Sequence, residues 1–95
     1  MKKTIDYQSY LLHSLEDRQE AQGYLNAALT DGSVDSFLLA LRNVIEAQGG
    51  MSKLAQKTHK SRSSLYKTLS DGGNPGLKSI DSILQALNLR LFITR

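Results

Sequence analysis

Up to residue 87, every well-patterned segment of this chain repeats with the period of an α-helix and then stops at a short breaker. Tyr7, Leu11, Leu12 and Leu15 fall at i, i+4, i+5 and i+8, on one helical face. Ala21, Tyr24, Leu25, Ala28 and Leu29 make a second stripe, which ends before Asp31-Gly32. Phe37, Leu38, Leu41, Val44 and Ile45 make a third. It is stopped by Gly49-Gly50, since glycine readily takes the left-handed conformation favoured at a helix end. Two shorter segments, Ser52–Thr58 and Arg62–Ser70, lead into Asp71-Gly72-Gly73-Asn74-Pro75-Gly76, the densest breaker cluster in the chain. The last helical segment, Ser79–Leu87, places Ile80, Ile83, Leu84 and Leu87 together, with Asn88 as its stop. Asp17 followed by Glu20 reads as the Asp form of a capping box opening the second helix, and Asp35 is expected to cap the third.

The pattern therefore predicts an all-α domain of six helices, followed by a short C-terminal β-strand. From Leu89 to Thr94 the period changes to two and strand formers dominate. A single strand leaves its backbone groups unpaired, so it needs a partner. That partner is either an extended piece of the N-terminus such as Thr4–Asp6, or a second protein chain.

Ninety-five residues suffice for one modest core. No apolar run approaches the length of a membrane span. MKKTIDYQSY carries two lysines but no apolar stretch follows, so it does not read as a signal peptide, and cytoplasmic localisation is expected. With no cysteine, disulfides and cysteine-based metal sites are excluded. The net charge of +3 is unevenly spread. Residues 1–35 hold Lys2, Lys3 and Arg18 against Asp6, Glu16, Asp17, Glu20, Asp31 and Asp35; residues 36–95 hold nine basic residues against Glu46, Asp71 and Asp81. An acidic third in front of a basic remainder suggests two partners of opposite charge.

Two short helices joined by a tight turn have a specific use: the first crosses a nucleic-acid backbone while the second enters the major groove. Leu54 and Ala55 anchor the first of the pair, and Leu65 and Leu69 the second. The outer face of the second is then Arg62, Ser63, Tyr66 and Lys67, groups able to donate to base edges and phosphates.

The run L-A-Q-K-x-x-x-S-R-S-S-L (Leu54–Leu65), a glycine-rich loop with Asn74-Pro75, and S-I-x-x-I-L-x-A-L (Ser79–Leu87) together resemble the Cro/C1-type helix-turn-helix of phage repressors. The resemblance covers about Phe37 to Leu89 and implies a lambda-repressor-like fold. The whole layout resembles a narrower group, the HigA-like antidote proteins of addiction (toxin–antitoxin) modules. There, a segment like S-L-E-D-x-x-x-A-x-x-Y-L-N-A-A-L (Ser14–Leu29) precedes the domain, and S-x-x-S-L-Y-K-x-L-S-x-x-G-N-P (Ser61–Pro75, here with one additional glycine) closes the reading helix. The resemblance implies an antitoxin that represses its own operon on double-stranded operator DNA and neutralises a cognate RelE-like toxin, and a homodimer is expected because one reading helix buries too little surface for useful specificity. It places Arg62, Ser63, Tyr66 and Lys67 at the bases, Ser61 at the cap of the reading helix and in reach of a phosphate, and Lys53, Lys60 and Lys78 near the backbone. Many members have a phosphate-donating Gln where this chain has Met51, so Ser52 or a backbone N–H must serve. Residues 1–33 form an N-terminal helical extension, a candidate toxin or dimer contact, and residues 34–95 the DNA-binding domain with its terminal strand.

Two other readings stay open at this stage: a stand-alone repressor without a toxin, and a protein–protein inhibitor whose helix pair no longer binds DNA. Enzyme chemistry finds no support. Ser64-Leu65-Tyr66-Lys67 matches the S-x-x-K nucleophile motif, but its companions S-D-N and K-T-G are absent. His13 and His59 lack carboxylates at metal-ligand spacing, so neither a metal nor a cofactor is expected. Gly72-Gly73 has neither the preceding strand nor the following G-K-[ST] of a phosphate-binding loop.

Overall fold

The computed structural model describes residues 3–70 and 72–90, with side chains from Tyr7 onward. Among the described residues there are six helices and no strand: α1 (Lys3–Ser14), α2 (Arg18–Thr30), α3 (Val34–Ala47), α4 (Gly50–Thr58), α5 (Arg62–Leu69) and α6 (Leu77–Ala86). The all-α expectation holds. Thr4–Asp6 lies within α1, so it is not an extended partner for a terminal strand. Leu89 and Arg90 belong to no helix or strand. The remainder of the expected strand, Leu91–Thr94, falls outside the described residues.

Local chemistry explains most helix ends. Asp17 caps α2, its carboxylate accepting from the Gln19 N–H at 2.8 Å and the Glu20 N–H at 3.4 Å. Asp35 does not cap α3. The cap is Ser33, which has the extended backbone the position needs and accepts from the Ser36 N–H at 3.2 Å. Asp35 sits one residue inside the helix, and its carboxylate accepts from the distant Gly72 N–H at 3.2 Å. Gly49 and Gly50 have φ of 126° and 89°, so together they form the α3–α4 turn, and Gly50 also opens α4. Asn88, at φ 60°, ends α6 in a Schellman arrangement: Leu89 N–H reaches Leu84 O at 2.8 Å and Asn88 N–H reaches Gln85 O at 3.0 Å.

α3 is the hub. It packs against α1, α2, α4 and α5, while α6 packs on α4. Leu38, Leu41 and Val44 of α3 are fully buried. One continuous core joins them to Leu15, Ala21 and Leu25 from the N-terminal stretch and to Leu54, Leu65, Leu69, Ile80, Ile83 and Leu84 from the later helices. Tyr7 does not pack there, being 65% exposed. Side chains of α3 also tie the helices together. Asn43 Nδ2 donates to the Tyr24 hydroxyl at 3.0 Å. Gln48 Nε2, just past the helix end, donates to Leu15 O at 2.7 Å and Glu16 O at 3.1 Å, closing the end of α1.

Candidate nucleic-acid interface

The helix pair α4–α5 is joined by His59, Lys60 and Ser61. His59 stands in the left-handed conformation, φ 59°, and the Lys60 N–H returns to Ala55 O at 3.3 Å. The chain thereby reverses within three residues, without a glycine. Ser61 then starts α5, its Oγ accepting from the Ser64 N–H at 3.0 Å. Removing that acceptor leaves a first-turn donor unsatisfied. Ser61→Ala is therefore expected to cost about 1 kcal/mol and to lower the thermal midpoint followed by circular dichroism by roughly 4–8 °C. An unchanged midpoint would mean the cap contributes nothing.

Four apolar side chains hold the pair. Leu54, Leu65 and Leu69 are buried, and Ala55 packs half-buried against the same core. With Leu65 and Leu69 turned inward, Arg62, Ser63, Tyr66 and Lys67 are exposed on the outer side of α5, where the sequence placed them. Lys53, Lys60, Ser52 and Ser61 are exposed as well. Lys78 lies on α6 in a surface groove it shares with Lys57, Thr58, Asp81 and Gln85, none of which belongs to α5.

From residue 47 to residue 70 the chain has no acidic side chain, whereas Lys53, Lys57, Lys60, Arg62 and Lys67 all fall in that span. These five cations are exposed, so the α4–α5 surface is positively charged. Glu46 bounds it on one side, in a groove with Leu39, Gly50, Met51 and Tyr66. Met51 is half-buried and packs on the core, so its role in α4 is structural. No side chain caps α4, which leaves its first N–H groups without a side-chain partner.

The structure adds three side-chain contacts around the site that periodicity did not reveal. Ser52 accepts a hydrogen bond from Arg62 Nη1 at 2.8 Å, which links the two helices at the exposed surface. Arg42, half-buried on α3, donates from Nη1 to Leu69 O at the end of α5. Asp35 holds the Gly72 N–H in the loop that follows. The loop also needs its second glycine: a Cβ on Gly73 would lie 2.8 Å from the carbonyl oxygens of both Thr68 and Ser70. The only signal in the sequence for Arg42 was that it is the one cation of α3.

Among the described residues no group of His, Asp or Glu is placed to hold a metal ion, and no helix is long and apolar enough to cross a membrane.

The comparisons with known proteins agree with a small antidote. The model of one family, described as "probable addiction module antidote protein", matches residues 3–95. An uncharacterized protein of Haemophilus influenzae is 37% identical over 76 residues, which is 80% of this chain and 77% of that one. No solved structure matches the chain. The family match runs through all six helices. The chain belongs to the addiction module antidote family, whose members imply a cognate toxin as partner.

Proposed function

We propose that this antidote is also a sequence-specific DNA-binding autorepressor, with α4 and α5 acting as a Cro/C1-type, lambda-repressor-like helix-turn-helix of the HigA-like kind, and that its toxin is RelE-like. The observation that carries the DNA reading is the exposed face of α5. It presents Arg62, Ser63, Tyr66 and Lys67 from a helix fixed by buried Leu65 and Leu69, inside a span without acidic residues. In this reading the guanidinium of Arg62 meets a base edge, Ser63, Tyr66 and Lys67 extend the contact, and Lys53, Lys60, Ser61 and Lys78 neutralise phosphates. Ser52 accepts from Arg62 and keeps its own hydroxyl proton to donate to a phosphate. The uncapped N-terminus of α4 supplies the backbone N–H groups that replace a donor at Met51. An inhibitor whose helix pair no longer binds DNA is consistent with Met51, and the backbone N–H groups of α4 are what favours the DNA-binding reading over it.

A single α5 buries too little surface for useful specificity, so the protein acts as a homodimer. Its two reading helices then sit about 34 Å apart in successive major grooves. Repression is steric.

The test is an electrophoretic mobility shift with the DNA upstream of the module. The wild-type protein is expected to bind with two chains per duplex and with affinity that falls steeply as salt rises. Arg62→Ala is expected to cost about 1–3 kcal/mol and to relax base preference, whereas Lys67→Ala weakens binding across sequences. No shift at low salt would sink the DNA reading. A stand-alone repressor would shift the DNA equally well but would fail to rescue growth when the product of the neighbouring gene is co-expressed as a toxin.

A further inference from the structure

α2 carries a glycine that its own fold does not require. Gly23 lies in the interior of the helix, with ordinary helical φ, and a Cβ built on it would meet nothing within 4 Å. Glycine inside a helix is destabilising relative to alanine, so a side chain here would improve the helix at no steric cost. What glycine does provide is an open surface. Gly23 lies in a groove whose other lining residues are Leu11, Ser14 and Leu15 from the α1 side, and Gln19, Glu20 and Tyr24 from α2. Any larger residue at position 23 would stand in it.

Beyond the groove, α1 presents two more tyrosines. Tyr7, Leu11 and Ser14 are spaced i, i+4 and i+7, so Tyr7 shares a helix face with the two α1 residues that line the groove. Tyr7 and Tyr10 are 65% and 72% exposed, and with Tyr24 they make three of the chain's four tyrosines. Tyrosine is enriched at the buried centres of protein interfaces, because it brings a large rigid area and a polar tip. Among the described side chains, the α1–α2 turn and the first turn of α2 expose Glu16, Asp17 and Glu20 against Arg18. A flat acidic helix surface is ordinary. An open groove kept clear by a glycine and lined by Tyr24 and Glu20, with Tyr7 and Tyr10 exposed on the adjoining helix and Glu16 and Asp17 in the turn, suits a lysine or arginine side chain entering from a partner.

We propose that the α1–α2 groove at Gly23, with Tyr7, Tyr10, Tyr24 and Glu20 around it, is the docking site for a basic surface of the cognate toxin. The proposal rests on the toxin partner implied by the antidote family and does not depend on DNA binding. Charge separates the two surfaces: DNA is repelled by the acidic α1–α2 turn with Glu16 and Asp17, and a basic protein is repelled by α4–α5. One antidote can therefore hold both partners at once.

Calorimetric titration with the purified toxin of the same module tests this. Gly23→Arg both fills the groove and reverses its charge, while arginine is a better helix former than glycine, so the variant folds. It is expected to melt no lower than wild type and to bind the toxin at least tenfold more weakly, with DNA binding retained. Tyr7→Ala with Tyr10→Ala is expected to weaken the toxin similarly, and wild-type affinity falls as salt is raised. Toxin affinity for Gly23→Arg within about twofold of wild type overturns the proposal. So does a Gly23→Arg protein that binds toxin normally but has changed from dimer to monomer, since the groove would then belong to a second copy. Wild-type protein that does not bind the toxin at all removes the partner reading itself, an outcome distinct from either.

Discussion

Leu65→Ala will unfold readily, while Tyr66→Ala beside it will barely change the melt. Leu65 is 1% exposed, on a helix of only eight residues. An isolated helix of that length is not stable in water. α5 exists because Leu65 and Leu69 are buried against the rest of the core. Truncating a buried leucine to alanine costs about 2–5 kcal/mol, the lost transfer energy plus the cavity left behind. A domain of this size has in total about 5–14 kcal/mol of stability. Leu65→Ala therefore removes a large share of it and should lower the thermal midpoint by roughly 10–25 °C. Tyr66 is 57% exposed, and exposed substitutions usually stay within about 0.5 kcal/mol. Its replacement should instead appear in DNA affinity. Thermal denaturation and mobility shift on the two variants check both halves. A Leu65→Ala midpoint within a few degrees of wild type would mean that α5 is held by something other than its buried face.

That pairing also shows why part of the site was legible in the sequence. Periodicity assigns the inner face of a helix, and the outer face follows as its complement. Leu65 and Leu69 inward leaves Arg62, Ser63, Tyr66 and Lys67 outward. Helix ends were legible where a single residue carries the signal, as with Asp17 at the start of α2 or Asn88 in its left-handed conformation after α6. The α4–α5 turn was legible only by its length, because the left-handed residue is His59, which carries no glycine signature. Asp35 was misassigned because Ser33 and Asp35 are both competent caps, and only the backbone decides which residue stands outside the helix.

What the sequence hid is the set of side chains that reach the backbone of distant elements. Asp35 at Gly72 and Gln48 at Leu15 and Glu16 bridge separations that no periodic pattern encodes. The same holds for Gln22, which holds Arg90 from both sides: its Nε2 donates to Arg90 O at 2.6 Å and its Oε1 accepts from Arg90 N–H at 3.0 Å. Such contacts need a tertiary fold before they have partners. They fix the relative placement of helices whose existence periodicity alone could supply.

Arg42 is the member of that set with the greatest expected consequence for function. The last carbonyls of α5 have no helical partners and must be satisfied from elsewhere. Lys67 O accepts from the Ser70 hydroxyl at 3.0 Å, Ser70 O accepts from the Gly73 N–H at 2.8 Å, and Leu69 O accepts from the Arg42 guanidinium. Of the three, only Arg42 comes from another helix, so it ties the end of α5 to α3. Its positive charge also lies at the negative end of the α5 dipole. Arg42→Met keeps most of the apolar stem and removes the donors. Leaving a part-buried carbonyl unsatisfied costs about 1–3 kcal/mol. Amides in the last turn of α5 should exchange with solvent faster than those of α3, and the midpoint should fall. DNA affinity should fall as well, because α5 loses its fixed direction. Arg62→Ala gives the contrasting signature, with normal exchange and melting but weakened DNA binding, since Arg62 is exposed and its hydrogen bond is to Ser52 on the surface. If Arg42→Met and Arg62→Ala gave the same profile, the division between the arginine that positions α5 and the arginine it presents would be wrong.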